Sequence, residues 1–162
     1  MNSLFLRILF ILALLLSTAQ ALYSQNTSRE SELLDSIEQT SLSPRLAYFL
    51  KELAWLYKSD RPATAHEYAQ QSLKIARQFE QDTLIADALH TQGVIYWYQG
   101  EMDKASRHYF EALEIRERIN DKLGLSRSYN NIGNVLAWQK NFDSALDYYE
   151  RSLELRRELN DE

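Results

Sequence analysis

The fold of the chain is decided by residues 128–159, which read SYNNIGNVLAWQKNFDSALDYYERSLELRREL. Apolar residues recur three or four positions apart in both halves of this stretch, which is the spacing of an amphipathic helix. The segment 140–143, KNFD, interrupts the pattern and places Asp143 where a carboxylate meets the positive end of a helix dipole. The stretch therefore predicts two helices joined by a tight turn.

The same pattern occurs 40 residues earlier in the chain. A further step of 40 reaches Ala65 and Leu73, so a third, weaker copy stands in register with the other two. Self-similarity at a fixed interval is typical of a repeat protein in which each helix pair packs only on its neighbours. The matching residues of the two clearer copies are Gly93 and Gly133, Asp103 and Asp143, Ala105 and Ala145, Tyr109 and Tyr149, and Leu113 and Leu153.

This periodicity predicts a degenerate first repeat over residues 44–82, a second over 83–122 and a third over 123–162. Each repeat holds a first helix, a turn and a second helix. Pro62 suits the first position of a helix, and Gly100 suits a left-handed helix end. The first helices are predicted at about 44–58, 83–99 and 123–139, and the second helices at about 62–79, 102–119 and 142–159.

Two glycines in the first helices indicate where helices approach each other closely. Gly93 and Gly133 lie in mid-helix, where glycine costs about 1 kcal/mol relative to alanine. Such a cost at two matching positions suggests that a neighbouring helix leaves no room for a side chain there. We assign to the packing of the repeats Gly93, Gly133, Ala65, Ala105, Ala145, Tyr109, Tyr149, Leu113 and Leu153.

The composition favours a single all-α domain. The 162 residues include 4 glycines and 2 prolines, which are too few for a sheet protein with many turns. The formal net charge is −5 with the two signs interspersed, so we expect no direct binding of nucleic acid, which needs a concentrated basic surface. The absence of cysteine excludes disulfides, thiolate nucleophiles and Cys-bound metals.

Residues 1–21 have the organisation of a secretory signal peptide. A basic residue, Arg7, precedes the apolar run from Ile8 to Leu16, and the sequence at 19–21, AQA, is an A-x-A cleavage pattern. Cleavage is expected after Ala21 or, as the alternative, after Ser24. A permanent anchor is disfavoured because the apolar run is shorter than the roughly 20 residues that cross a bilayer. We therefore predict an exported protein, either periplasmic or secreted, or the extracytoplasmic part of a membrane protein.

Residues 22–43 form a polar lead-in with one amphipathic patch at Leu33, Leu34 and Ile37. Ser28 or Ser31 could cap a short helix there. We expect this helix to cover the first repeat, and a mobile linker is the alternative.

A fixed order of glycine, aromatic, aspartate and alanine residues runs through the second and third copies. It comprises Gly93, Tyr96, Gly100, Asp103, Ala105, Tyr109 and Ala112, and then Tyr129, Gly133, Leu136, Asp143, Ala145 and Tyr149. This order resembles the tetratricopeptide repeat, in the extended form of kinesin light chains and bacterial peptide-sensing regulators, because the interval of 40 exceeds the usual period of about 34. The first copy departs from the pattern at Leu53 and Ala69, and the third at Ser152.

The resemblance implies a right-handed α-solenoid of antiparallel helix pairs that binds a protein or peptide and is not an enzyme. In such solenoids the exposed face of the first helices contacts the ligand, and asparagines often bond an extended peptide backbone. Alternatively, the asparagines bridge neighbouring helices and Trp97 belongs to the core. The positions that match the ligand face are Asn130, Asn131, Asn134 and Arg127 in the third copy, Asp87, His90, Thr91, Val94 and Trp97 in the second, and Lys51, Ala54, Tyr57 and Lys58 in the first.

No arrangement of residues in the sequence predicts catalysis, a metal or a cofactor. His66-Glu67 is not followed by a second histidine at the zinc-binding spacing, and lone histidines such as His90 and His108 are typical of surface or packing positions. The alternating carboxylates and arginines of 111–118 and 154–158 are predicted to be a solvated helix face with local ion pairs.

The arrangement of leader, lead-in and repeats resembles the sensory front of membrane-bound bacterial signalling proteins that end in a histidine kinase, a nucleotide cyclase or a DNA-binding domain. We expect the chain to be the front of such a longer protein, which would meet a membrane only through parts outside this sequence. The alternative function is self-association through the last repeat, because a solenoid end with an apolar face needs a cap or a partner.

Overall fold

The computed structural model describes residues 3–161, including the side chains of residues 11, 17, 18, 20, 21 and 24–159. All regular structure in this part of the chain is helical, which confirms the all-α prediction. The seven helices are α1 (Ser3–Gln39), α2 (Pro44–Tyr57), α3 (Pro62–Gln78), α4 (Asp82–Tyr98), α5 (Met102–Arg118), α6 (Lys122–Trp138) and α7 (Phe142–Asp161).

The helices from α2 to α7 form three pairs that stack in sequence order into a helical repeat array. Their first residues lie within one position of the predicted starts. Glu80, Gly100, Asn120 and Lys140 have φ between 51° and 76°, so left-handed residues recur at the same places in successive repeats. The following amides turn back onto the helix, as Glu101 N does on Tyr96 O at 2.9 Å and Asn141 N on Leu136 O at 2.9 Å, which stops each first helix at a fixed length.

The lead-in is not the short helix that we predicted, because α1 runs without a break from Ser3 to Gln39. Ser28 and Ser31 therefore lie inside a helix and not at its start. Met1 and Asn2 of the predicted signal peptide lie outside the described residues. Among the described residues, none of the helices offers the length of apolar sequence that a bilayer crossing requires.

The C-terminal half of α1 covers the first repeat, as we expected. Leu33 packs in a core with Leu53, and it stands at the repeat position of Leu73 and Leu113, which are also buried. One turn earlier, the Glu30 carboxylate accepts a hydrogen bond of 2.6 Å from the Tyr57 hydroxyl. The helix α1 thus behaves as the second helix of a half repeat placed before α2.

An ion pair holds the same part of α1 in place. The Arg61 guanidinium donates two bonds of 2.9 Å to the two oxygens of Glu30. This pairing, followed by the hydroxyl of Tyr57, lowers the pKa of Glu30. Burial and the neighbouring Glu30 carboxylate raise the pKa of Tyr57 to about 12. At neutral pH, Glu30 is therefore ionised and the Tyr57 hydroxyl keeps its proton.

Gly93 and Gly133, in the middle of first helices, each lie under a tyrosine ring from the paired helix. A Cβ atom on Gly93 would lie 2.6 Å from the Tyr109 ring, and one on Gly133 would lie 2.6 Å from the Tyr149 ring. In the first repeat the same two positions hold Leu53 and Ala69, which are both fully buried. In the first repeat the large residue is therefore on the first helix and the small one on the second, which is the reverse of the later repeats. The space between the paired helices is filled in both cases.

In the third repeat, the structure corrects our assignment of Leu153 and explains why the pattern departs from alanine at Ser152. Leu153, which we assigned to packing, is 48% exposed, whereas Leu113 is buried because α6 covers it. Ser152 is buried and its hydroxyl donates to the Ser126 carbonyl at 2.7 Å. Ser72 makes the equivalent bond to the Ala47 carbonyl at 2.7 Å, so serine at this position ties the second helix of a repeat to the first.

The exchange of volumes predicts how Gly93 and Tyr109 depend on each other. We expect Tyr109→Ala to destabilise the fold by about 3 kcal/mol through a cavity, and Gly93→Leu by about 2 kcal/mol through overpacking. The double variant recreates the pair found at Leu53 and Ala69. Its loss of unfolding free energy should be at least about 1 kcal/mol smaller than the sum of the losses of the two single variants. Urea unfolding measures the three values, and strictly additive losses would show that the two positions do not share one space.

Candidate functional site

The first helices α2, α4 and α6 present a common face with two neighbouring cavities, which we together call the first-helix groove. The amide cavity, of about 230 Å³, is lined by Trp55, Lys58, Val94, Trp97, Tyr98, Tyr109, Asn131 and Asn134. The cationic cavity, of about 370 Å³, is lined by Lys51, Trp55, Asp87, His90, Thr91 and Arg127. Residues from three successive repeats therefore meet on one surface.

Three of the predicted ligand-face residues are not brought to this groove. Ala54 is fully buried in the core. Tyr57 is buried against α1, where its hydroxyl bonds Glu30. Asn130 is half-buried on α6, and it is absent from the linings of both cavities. The predicted residues that line the groove are Lys51, Lys58, Asp87, His90, Thr91, Val94, Trp97, Arg127, Asn131 and Asn134.

Both groove asparagines also connect neighbouring helices, which was the alternative left open by the sequence. The Asn131 amide nitrogen lies 2.8 Å from Nε2 of His90 on α4. Asn134 Oδ1 accepts a bond of 2.9 Å from the Tyr149 hydroxyl on α7. These contacts fix the orientation of the two amides before any ligand arrives.

His90 is neutral at physiological pH. Burial, followed by the charges of Arg116, Arg127 and Lys51, lowers its pKa to about 3. Because the amide nitrogen of Asn131 can only donate, Nε2 of His90 accepts and the ring proton sits on Nδ1. The histidine therefore serves as a neutral acceptor in the wall of the groove.

The cationic cavity places Lys51 and Arg127 around a carboxylate that is already neutralised. Asp87 Oδ1 accepts a bond of 2.8 Å from Arg116 Nη2, and its Oδ2 lies 3.7 Å from Lys51 Nζ. Lys51 also pairs with Glu52 at 2.8 Å. The lining of this cavity contains two cationic side chains and one carboxylate, so it favours an incoming anion.

Arg116 was predicted to lie on a solvated helix face, and this prediction was wrong. The side chain is 1% exposed and joins three helices. Its Nη1 donates to the Gly124 carbonyl at 3.1 Å and to the Ser128 hydroxyl at 2.8 Å, both on α6, while Nη2 bonds Asp87 on α4. A Cβ on Gly124 would lie 2.5 Å from Arg116 Nε, so the glycine makes room for the guanidinium.

Sequence reasoning missed Trp55, which lines both cavities. Its indole is 41% exposed, is nearly parallel to the His90 ring with centroids 6.4 Å apart, and has Lys58 Nζ 4.5 Å from its centroid. The repeat positions of Trp55 are Ile95 and Val135, which are buried. The available signal was the change from aliphatic to aromatic at that position, which we did not weigh.

The two remaining histidines make ring contacts on the other side of α4. The centroid of His66 lies 4.4 Å from that of Tyr96, and His108 stacks on the same tyrosine at 5.2 Å. Within the part of the chain that the structure describes, no group of histidine and carboxylate side chains is placed to hold a metal ion.

The repeat array with a polar and aromatic groove defines a helical-repeat binding scaffold. Residues 84–158 match the family described as tetratricopeptide repeat. This segment of the chain belongs to the tetratricopeptide repeat family. Domains of this family generally bind proteins or peptides and are generally non-catalytic.

Two solved structures are similar in fold. BtubC (BKLC) from P. vanneervenii has 23% sequence identity and a TM-score of 0.66, with 74% of this chain and 50% of that protein covered. The TPR domain of Arabidopsis FLU has 19% identity and a TM-score of 0.56, with 67% of this chain and 98% of that domain covered. The chain thus spans half the length of BtubC. A comparison with curated proteins gives no match.

The burial of Arg116 predicts a large difference between two arginines at the same repeat position. We expect Arg116→Met to destabilise the fold by about 3 kcal/mol, because the change leaves Asp87 without its main partner in a partly buried site. Arg156→Met is the matched control, because Arg156 is exposed and should change stability by less than about 0.5 kcal/mol. Equal effects in urea unfolding would contradict the bridging role of Arg116.

Proposed function

We propose that the chain binds an extended segment of a partner protein in the first-helix groove. The observation that supports this proposal is the meeting of Lys51, Arg127 and Trp55 with the amides of Asn131 and Asn134 on one surface built by three repeats. Amides can pair with a peptide backbone, aromatic rings offer apolar area at a small entropic cost, and the cations attract acidic groups.

The two cavities suit different parts of such a segment. A carboxylate side chain fits the cationic cavity, where Arg127 is exposed and Asp87 is already neutralised by Arg116. An apolar side chain fits the amide cavity between Val94, Trp97 and Tyr98. We therefore infer a preference for peptides that carry an acidic residue next to an apolar one.

Display selection with random dodecapeptides against the whole chain tests the proposal. We expect enriched peptides to contain acidic residues and to lose roughly tenfold in affinity for Arg127→Gln, because a charge-assisted hydrogen bond is removed. Arg107→Gln is the control, because Arg107 is exposed on α5 and lies away from the groove. Failure to enrich any peptide, or equal losses for the two variants in calorimetry, would oppose the groove assignment.

We further propose that the protein is exported. The support is the sequence of residues 1–21, with Arg7, an apolar run and the AQA pattern. N-terminal sequencing of the protein from its native host should start at Leu22 or Gln25. Recovery of an intact Met1 would count against cleavage.

A larger context is proposed from the arrangement of leader and repeats. We propose that the groove serves as the sensory or interaction region of a bacterial signalling protein of the histidine kinase, cyclase or transcriptional regulator type. The genomic reading frame around this sequence tests this idea directly. A frame that encodes no further domain would remove it.

Self-association is a second candidate, favoured by an exposed apolar face on α6 and α7. Trp138, Phe142, Leu146 and Leu153 are between 48% and 66% exposed. Apolar patches of this kind are typical of interaction sites. Sedimentation equilibrium between micromolar and millimolar concentration should show a dimer that Leu146→Glu weakens and that Leu42→Glu, a change in a loop, leaves intact. A strict monomer at all concentrations would exclude this candidate.

A further inference from the structure

A third cavity, which we call the front cleft, lies between α1 and the C-terminal half of α2. It has a volume of about 450 Å³. Asn26 and Arg29 line it from α1, Glu52 and Trp55 line it from α2, and Lys58 lines it from the residue that follows α2. The lead-in helix therefore contributes side chains to a cavity that adjoins the groove.

The cleft is open because α2 has only α1 before it in the part of the chain that the structure describes. In the second and third repeats the positions of Trp55 are held by Ile95 and Val135, which are buried against the preceding helix pair. No such pair covers Trp55, so its ring remains 41% exposed. The front of the array thus has a vacant surface that the later repeats do not have.

The front cleft is continuous with the first-helix groove. Trp55 lines the cleft and both groove cavities, and Lys58 lines the cleft and the amide cavity. The Lys58 ammonium lies 4.5 Å from the Trp55 ring centroid and 5.8 Å from that of Tyr98. A chain that leaves the groove over Trp55 therefore reaches the cleft directly, because Trp55 and Lys58 border both.

The wall supplied by α1 is held firmly against α2. Leu33 is buried in the core, and Arg61 bonds both oxygens of Glu30 at 2.9 Å. Arg29 forms an ion pair with Glu52 across the cleft. This part of α1 is therefore positioned in advance of binding.

The charges differ between the two ends of this continuous surface. In the front cleft, Arg29 is paired with Glu52 and Arg61 with Glu30, which leaves a polar wall of low net charge that includes the amide of Asn26. The cationic cavity at the other end attracts anions. A ligand that spans both ends is therefore expected to carry its acidic residue near Arg127 and uncharged residues near Asn26.

We propose that the bound peptide continues over Trp55 into the front cleft, so that α1 is part of the binding surface. This inference rests on the proposed groove function. The path from α1 across α2 and α4 to α6 is three helix spacings of about 10 Å each. At about 3.3 Å per extended residue, the ligand occupies roughly nine residues, more than the groove alone accommodates.

Photo-crosslinking locates the ligand along this path. The whole chain receives benzoylphenylalanine at Asn134 in the groove, at Asn26 in the cleft, or at Asp35, which is exposed and lies two and a half turns after Asn26, on the opposite face of α1. The probe is the tightest dodecapeptide from the display selection. We expect adducts at positions 134 and 26 and none at 35.

The other outcomes separate the two proposals. Adducts at 134 without adducts at 26 would overturn the extension into the front cleft and leave the groove function standing, whereas adducts at neither position would overturn both. As a second measurement, Asn26→Ala should weaken the dodecapeptide about fivefold, the effect of one lost hydrogen bond. The same variant should not weaken a version shortened to its acidic half, and an equal loss for both peptides would also oppose the extension.

Discussion

The buried guanidinium of Arg116 is the interaction on which the geometry of the second and third repeats depends. This side chain of α5 bonds Asp87 on α4 and both Gly124 and Ser128 on α6, so its guanidinium joins three helices. A charge held in this way is strongly destabilising when one partner is removed. It also sets the spacing between α4 and α6, the two helices that supply most of the groove.

The lead-in helix and the second helices of the repeats pack in the same way against the first helices. Leu33, Leu73 and Leu113 fill the same place in successive layers. Between the paired helices, the first repeat has leucine with alanine, and the second and third have glycine under tyrosine. What is kept from layer to layer is the total volume and not the residue type. A degenerate repeat can therefore stack on regular ones without a gap.

The sequence predicted the repeat helices well because their limits depend on local features. Pro62 marks the start of a helix and Gly100 marks the end of one, and both act on residues close to them in the sequence. The 40-residue interval can also be recognised from the sequence alone. The burial of Arg116 could not be predicted, since its partners Asp87 and Gly124 come from two other helices. Tyr57 was misassigned and Trp55 was missed for the same reason, because the exposure of both depends on the position of α1, which their own sequence neighbours do not determine.

Because His90 stays neutral in the folded state, its titration affects the folding stability of the protein but not the charge of the groove. The pKa of His90 falls from 6.5 to about 3 on folding. As the pH decreases, the histidine is therefore protonated below pH 6.5 in the unfolded chain but only near pH 3 in the folded chain. The contribution of this residue to folding stability is complete above pH 6.5 and declines across that interval. The charge that the groove shows to a ligand is meanwhile unchanged by His90, so the titration of this residue reduces the folded population without changing the charge of the groove in the molecules that remain folded.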